Sequence, residues 1–109
     1  MTLGSVFDVA VDLRKSSPSF GQWLGLELSE MNHRMLWVPP GFAHGFYVTS
    51  RVADFMYKCT DIYAPQFERT IRWDDATLAI DWPLVDDRQP TLSAKDAKGV
   101  AFVDAEVFE

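Results

Sequence analysis

One histidine stands inside the stretch from Trp37 to Ser50, "WVPPGFAHGFYVTS". A Pro-Pro-Gly turn leads to His44, the aromatic residues Phe42 and Phe46 flank it, and an apolar run follows. Three uses suit an imidazole there: metal ligation, handling a substrate proton, or packing in a core with its nitrogens satisfied. Metal ligation fails on ligand count. A catalytic metal usually takes three protein ligands, whereas this chain has two histidines and one cysteine. The second histidine, His33, lies in the polar turn "SEMNHR" and is expected to face water. No His-x-His occurs, and the lone Cys59 excludes an intrachain disulfide or a cysteine-based zinc site. No metal and no cofactor are expected.

The elements that must carry His44 follow a period of two. In "SVFDVAVDL", Phe7, Val9, Val11 and Leu13 share one face, while Asp8 and Asp12 fall on the other. "GQWLGLEL" repeats the pattern with a glycine at the bend, and "RMLWV", "HGFYVT", "ADFMYKCT" and "RTIRW" follow at short spacing. Turn-forming stretches separate them: "SSPSFG", "SEMNH", "PPG", "SR" and "YAPQFE". Helical periodicity is nearly absent, and an irregular tail runs from about Asp74 through "DDATLAIDWPL" and "RQPTLSAKDAKG" to "VAFV". The pattern predicts an all-β sandwich or barrel with roughly six strands, fewer than the eight of a closed jelly roll. The first strand begins close to Met1, so it is expected to present an edge that another chain or a further segment must cover.

Composition narrows the function. The chain has 109 residues, 48% of them hydrophobic, which fits one globular domain over 1–109 with little core to spare. A net charge of −6 argues against a nucleic-acid partner, which needs a basic face. Arg69 and Arg72 in "ERTIRW" are the nearest basic pair, read by default as a solvated strand face. No apolar run approaches the roughly 20 residues of a membrane span. The N-terminus "MTLGSVFDVAV" lacks the features of a signal peptide, so the expected location is cytoplasmic.

"PPGFAH" fits the Pro-x-Gly-x-x-His half-motif of cupin barrels. Beyond it, "VFDVAVDLRKSSPSFGQWLGLELS", "LWVPPGFAHGF", "YKCTDIYAPQFE", "IRWDDATLAIDWP" and "LSAKDA" resemble, in order from Gly4 to Asp96, the dTDP-4-dehydrorhamnose 3,5-epimerase family. The resemblance implies an all-β cupin-like jelly roll, a double-stranded β-helix, here incomplete at its N-terminal side. It also implies a metal-free homodimer acting on a dTDP-4-keto-6-deoxyhexose.

Epimerisation beside a ketone needs a base on one face of the ring, an acid on the other, and donors at the enolate oxygen. In the resembled family the base is a histidine held by an aspartate, and the acid is a tyrosine. The matching residues are Tyr57 in "FMYKC" as the acid and Asp96 in "SAKDA" as the orienting carboxylate. His44, Glu68 and Lys95 match positions that line the ligand. Each also has a plainer reading. Tyr57 fits a core aromatic, Asp96 a turn cap, Glu68 and Lys95 surface charges, and His44 a packed histidine.

The family's base histidine, in a Gly-Leu-His segment upstream of the strand that starts at Gly4, matches nothing here. His44 comes from a different strand, and pairing it with Asp96 would require the tail to fold inward. Three functions follow as expectations. One is an epimerase completed by a second polypeptide. Another is a catalytically deficient sugar-nucleotide binding module, and the last a strand-pairing interaction protein.

Overall fold

The computed structural model describes residues 3–56, 69–84, 90–105 and 107. Among the described residues, alternating sequence becomes sheet in three of the six stretches where it was expected. Three antiparallel strands form, β1 (Ser5–Asp12), β2 (Trp23–Ser29) and β3 (Phe42–Val48), in the order β2-β1-β3. Val9 stands opposite Gly25 of β2 and Gly45 of β3, and Ala10 opposite Leu24 and His44.

The first strand is therefore the centre of the sheet, and the expectation that it forms an exposed edge is corrected. Residues that follow it in sequence return to cover both of its sides. Among the described residues β2 and β3 are the strands paired on one side only. "RMLWV" enters no ladder among the described residues, and "RTIRW" contributes one isolated bridge, Ile71 with Val100. "ADFMYKCT" contributes the bridge of Asp54 with Leu3 and then leaves the described residues at Tyr57.

The period of two sorts β1 into two faces. Val9 and Val11, with Leu13 just beyond the strand, are buried against Leu78 and the tail residue Phe102. Around them pack Phe7, Phe20, Trp23, Ile71, Ile80 and Trp82. Phe7 meets Trp23 and Trp82 edge-on, with ring centroids 6.4 and 6.0 Å away, as aromatic quadrupoles prefer. Gly25 makes room for this, because a Cβ there would lie 2.2 Å from the Phe7 ring. The tail thus closes the core from one side of the sheet.

Asp75 fastens that tail. Oδ1 accepts the backbone N–H groups of Thr77 (2.9 Å) and Leu78 (3.0 Å), and Oδ2 accepts that of Phe102 at 2.7 Å. The bond from Phe102, with those from Leu78 and Thr77, outweighs burial and holds the Asp75 carboxyl below the usual carboxylate range. The tail also holds a short helix, α1 (Ala94–Ala97), and a 3-10 turn at Phe102–Asp104.

Candidate active site

The opposite face of the sheet carries Asp8, Ala10 and Asp12 of β1 beside His44 and Phe46 of β3. His44 lies two residues along β3 from Phe46, the residue directly opposite Asp8, and this diagonal is within reach of long side chains. His44 Nε2 hydrogen-bonds Asp8 Oδ1. The Asp8 side chain is 3% accessible whereas that of His44 keeps 30%, so the carboxylate anchors from inside and the imidazole retains a free flank. Because Nε2 is committed to Asp8, Nδ1 is the nitrogen left for a ligand. Leu24 and Phe46 on the same face are exposed, and the Phe46 ring rests on Phe55 at a centroid distance of 4.8 Å. The result is a carboxylate–imidazole pair framed by apolar surface, able to hold and orient a histidine against a bound molecule.

Asp12, four residues along, is differently engaged. Its carboxylate accepts from Arg14 N (2.9 Å), Arg14 Nε (3.0 Å), Arg14 Nη2 (3.1 Å), Ser17 Oγ (2.6 Å) and Ser19 Oγ (2.5 Å). The bonds from the Arg14 side chain, then those from the serines and the Arg14 backbone, overcome burial and hold it far below the usual carboxylate range. With its oxygens so occupied, Asp12 is no proton acceptor.

The described residues among those singled out from sequence are dispersed. His44 lies on the open sheet face, paired with Asp8 and not with Asp96, so the tail does not bring Asp96 to it. Lys95 and Asp96 sit on α1, where Ser93 Oγ caps the helix by accepting the Asp96 backbone N–H at 3.1 Å. Asp96 lines a shallow depression with Arg72, Trp73, Asp74, Leu92, Ala97 and Gly99. Tyr57 and Glu68 lie outside the described residues. His33 is exposed in its turn, as expected. Arg72 makes a two-bond contact with Asp74, Nε–Oδ1 3.0 Å and Nη2–Oδ2 3.1 Å, so its charge is locally balanced. That contact lowers the Asp74 carboxyl.

Asp8 is the residue that sequence reasoning passed over. The available signal was a pair of carboxylates four residues apart, on one face of an otherwise apolar strand, "VFDVAVD". A charge in so apolar a strand needs a partner if it is buried.

A family model described as dTDP-4-dehydrorhamnose 3,5-epimerase matches residues 1–104. The chain belongs to that family. A dTDP-4-dehydrorhamnose 3,5-epimerase of Pseudomonas aeruginosa is 60% identical over 107 residues, which cover 98% of this chain and 58% of that protein. The crystal structure of the Legionella pneumophila epimerase RmlC, in complex with dTDP-4-keto-L-rhamnose, superposes with a TM-score of 0.90 at 55% identity. That match covers 95% of this chain and 54% of the other. The RmlC epimerase of Mycobacterium tuberculosis gives a TM-score of 0.91 at 47% identity, over 94% of this chain and 52% of its own. The epimerase-family chain described here thus spans somewhat more than half the length of the relatives it matches. Its all-β, cupin-like fold is theirs.

Proposed function

We propose that these residues carry the substrate-facing wall of a dTDP-4-keto-6-deoxyhexose epimerase site. The observation that carries the reading is the buried Asp8 bonded to the partly exposed His44 on the open face of the sheet. The Legionella relative, bound to dTDP-4-keto-L-rhamnose, supports the ligand class.

In the proposed reaction a base removes the proton from a carbon next to the keto group. The C–H electron pair becomes the enolate double bond, and negative charge collects on the keto oxygen. His44, as an imidazolium, donates Nδ1–H to that oxygen, and Asp8, accepting Nε2–H, steadies the positive ring. A donor so preorganised is typically worth about 10²–10³-fold in rate. Tyr57 returns a proton from the opposite face. Asp96 orients the base histidine of the family, and Glu68 and Lys95 contact the ligand. The reaction runs in the cytoplasm, without metal or cofactor, in a homodimer.

The test is titration of dTDP-4-keto-6-deoxyglucose into the protein, followed through the His44 ring resonances. Saturable shifts in the wild type, weakened in Asp8→Asn, support the reading. Resonances that stay put at saturating ligand refute it.

A second reading, sugar-nucleotide binding without catalysis, is favoured by one feature. The histidine that holds a carboxylate is His44, and its carboxylate is Asp8, so Asp96 has no part in that pair. Binding with no exchange of the sugar's C–H protons, even beside a segment carrying the family's base, would select it.

A further inference from the structure

β3 does not set its own register. Its burial pattern contains no fully buried residue: Phe42, Ala43, Gly45 and Tyr47 are half-buried, and His44, Phe46 and Val48 are exposed. On the core-facing side Ala43 packs against the buried cluster but Gly45 offers no side chain, and the second face is exposed, so burial within β3 resists a slip only weakly. Strands of that kind are weakly specified by burial, and a slip of one residue turns every side chain to the other face. His44 would then leave Asp8 altogether. Something outside the strand must fix it.

The arrangement around Asp12 supplies that fixation at the end nearest His44. Asp12 stands opposite Phe42, the first residue of β3. Three of its five accepted bonds come from Arg14 and hold it in place, and the Arg14 guanidinium lies 4.9 Å over the Phe42 ring. The arginine stem crosses Gly41, whose φ is +93°; a Cβ there would fall 2.6 Å from Arg14 Cγ. Leu13 N donates to Gly41 O at 2.9 Å, closing the same junction through the backbone. The Pro-Pro-Gly turn is therefore gripped by residues 12–14 immediately before β3 starts. Ser5 and Thr49 join the far end, with Thr49 N donating to Ser5 O at 3.1 Å, five residues beyond His44.

We propose that Asp12 is a positioning residue that acts through Arg14 to pin the register of β3, placing His44 opposite Ala10 and in reach of Asp8. Its importance for catalysis rests on the reading of His44 given above; the register effect itself does not.

The experiment is NMR of the 109-residue protein, with ¹⁵N-labelled histidine and cross-strand NOEs as readouts. In Asp12→Asn, which keeps size and loses charge, the Ala10–His44 NOEs fall by about half or more and the His44 ring signals split or broaden. NOEs between Val9 and Gly25 of the β1–β2 pair stay unchanged. Arg14→Met, which leaves a stem over Gly41 without the guanidinium, reproduces the effect. If Asp12→Asn does not fold, the milder Ser17→Ala and Ser19→Ala pair carries the test, with the same NOEs weakened. Asp75→Asn is the control for stability alone, and it leaves the His44 signals where they are. Unaltered Ala10–His44 NOEs and ring shifts in folded Asp12→Asn or Arg14→Met, or in the serine pair, overturn the inference. A register shift in Asp12→Asn together with ligand titration that His44→Ala leaves intact upholds the pin and removes the functional reading of His44.

Discussion

Replacing Asp75 by Asn tests how the tail is held, with a change of one atom. The carboxylate serves three N–H donors with its two oxygens, Thr77 and Leu78 on Oδ1 and Phe102 on Oδ2. An amide has one oxygen and one NH₂, so in either orientation it points a donor at a donor. It can serve the turn or Phe102, but not both. An unpaired buried N–H costs about 1–3 kcal/mol, so a loss of about 2 kcal/mol is expected. With an unfolding entropy of roughly 2.1 cal/mol/K per residue, that lowers Tm by about 9 °C.

The pH dependence gives a second check. Asp75 is held below the usual carboxylate range when folded, by its bonds from Phe102, Leu78 and Thr77. Its contribution is therefore fully present above the unfolded value near about 3.9 and is lost as pH falls through the lower folded value. The gap between wild type and Asp75→Asn, measured by differential scanning calorimetry, is full at neutral pH and narrows below about pH 4. A Tm within about 2 °C of wild type at neutral pH, or a gap that widens in acid, refutes the account of the tail.

Other expectations are more compact. Gly25→Ala forces a methyl group into the Phe7 ring and costs about 1–3 kcal/mol, read as a shifted urea midpoint; an unchanged midpoint shows that the aromatic cluster has room to spare. With β2 and β3 paired on one side only among the described residues, a homodimer is expected by light scattering at micromolar protein, and a stable monomer there contradicts it. Elemental analysis of purified protein should find no stoichiometric zinc, iron or manganese, since two histidines and one cysteine make a poor ligand set; about one metal per chain removes the metal-free reading.

The sheet was legible because alternation is a local property. Phe7, Val9, Val11 and Leu13 declared their shared face before any fold was known, and the Pro-Pro-Gly turn announced the start of β3. Which strand lies in the middle is not local. Read from the sequence, β1 was expected at an edge, yet later residues flank it on both sides. The same limit hid Asp8: alternation assigns a carboxylate to a face, but only the return of β3 brings a histidine to it. "RMLWV" is apolar enough for a strand and still forms no ladder among the described residues, because a ladder also requires a neighbour. α1 escaped because four residues are too few for helical periodicity, although Ser93 three places before Asp96 is a capping signal. Family likeness named His44, and the fold gave it Asp8 as a partner.

The central claim is that His44 faces the substrate as a donor held by Asp8 and does not begin the reaction as its base. Deuterium wash-in at C3 and C5 of dTDP-4-keto-6-deoxyglucose in D₂O tests it most directly. A positioned general base is worth about 10²–10⁴-fold, so the 109 residues alone should exchange at least about a hundredfold more slowly than the full-length Pseudomonas relative. Adding a family segment that carries the Gly-Leu-His histidine should raise the rate, and Tyr57→Phe should remove that gain. Full exchange by the 109 residues alone, abolished in His44→Ala, would make His44 the base and contradict the account.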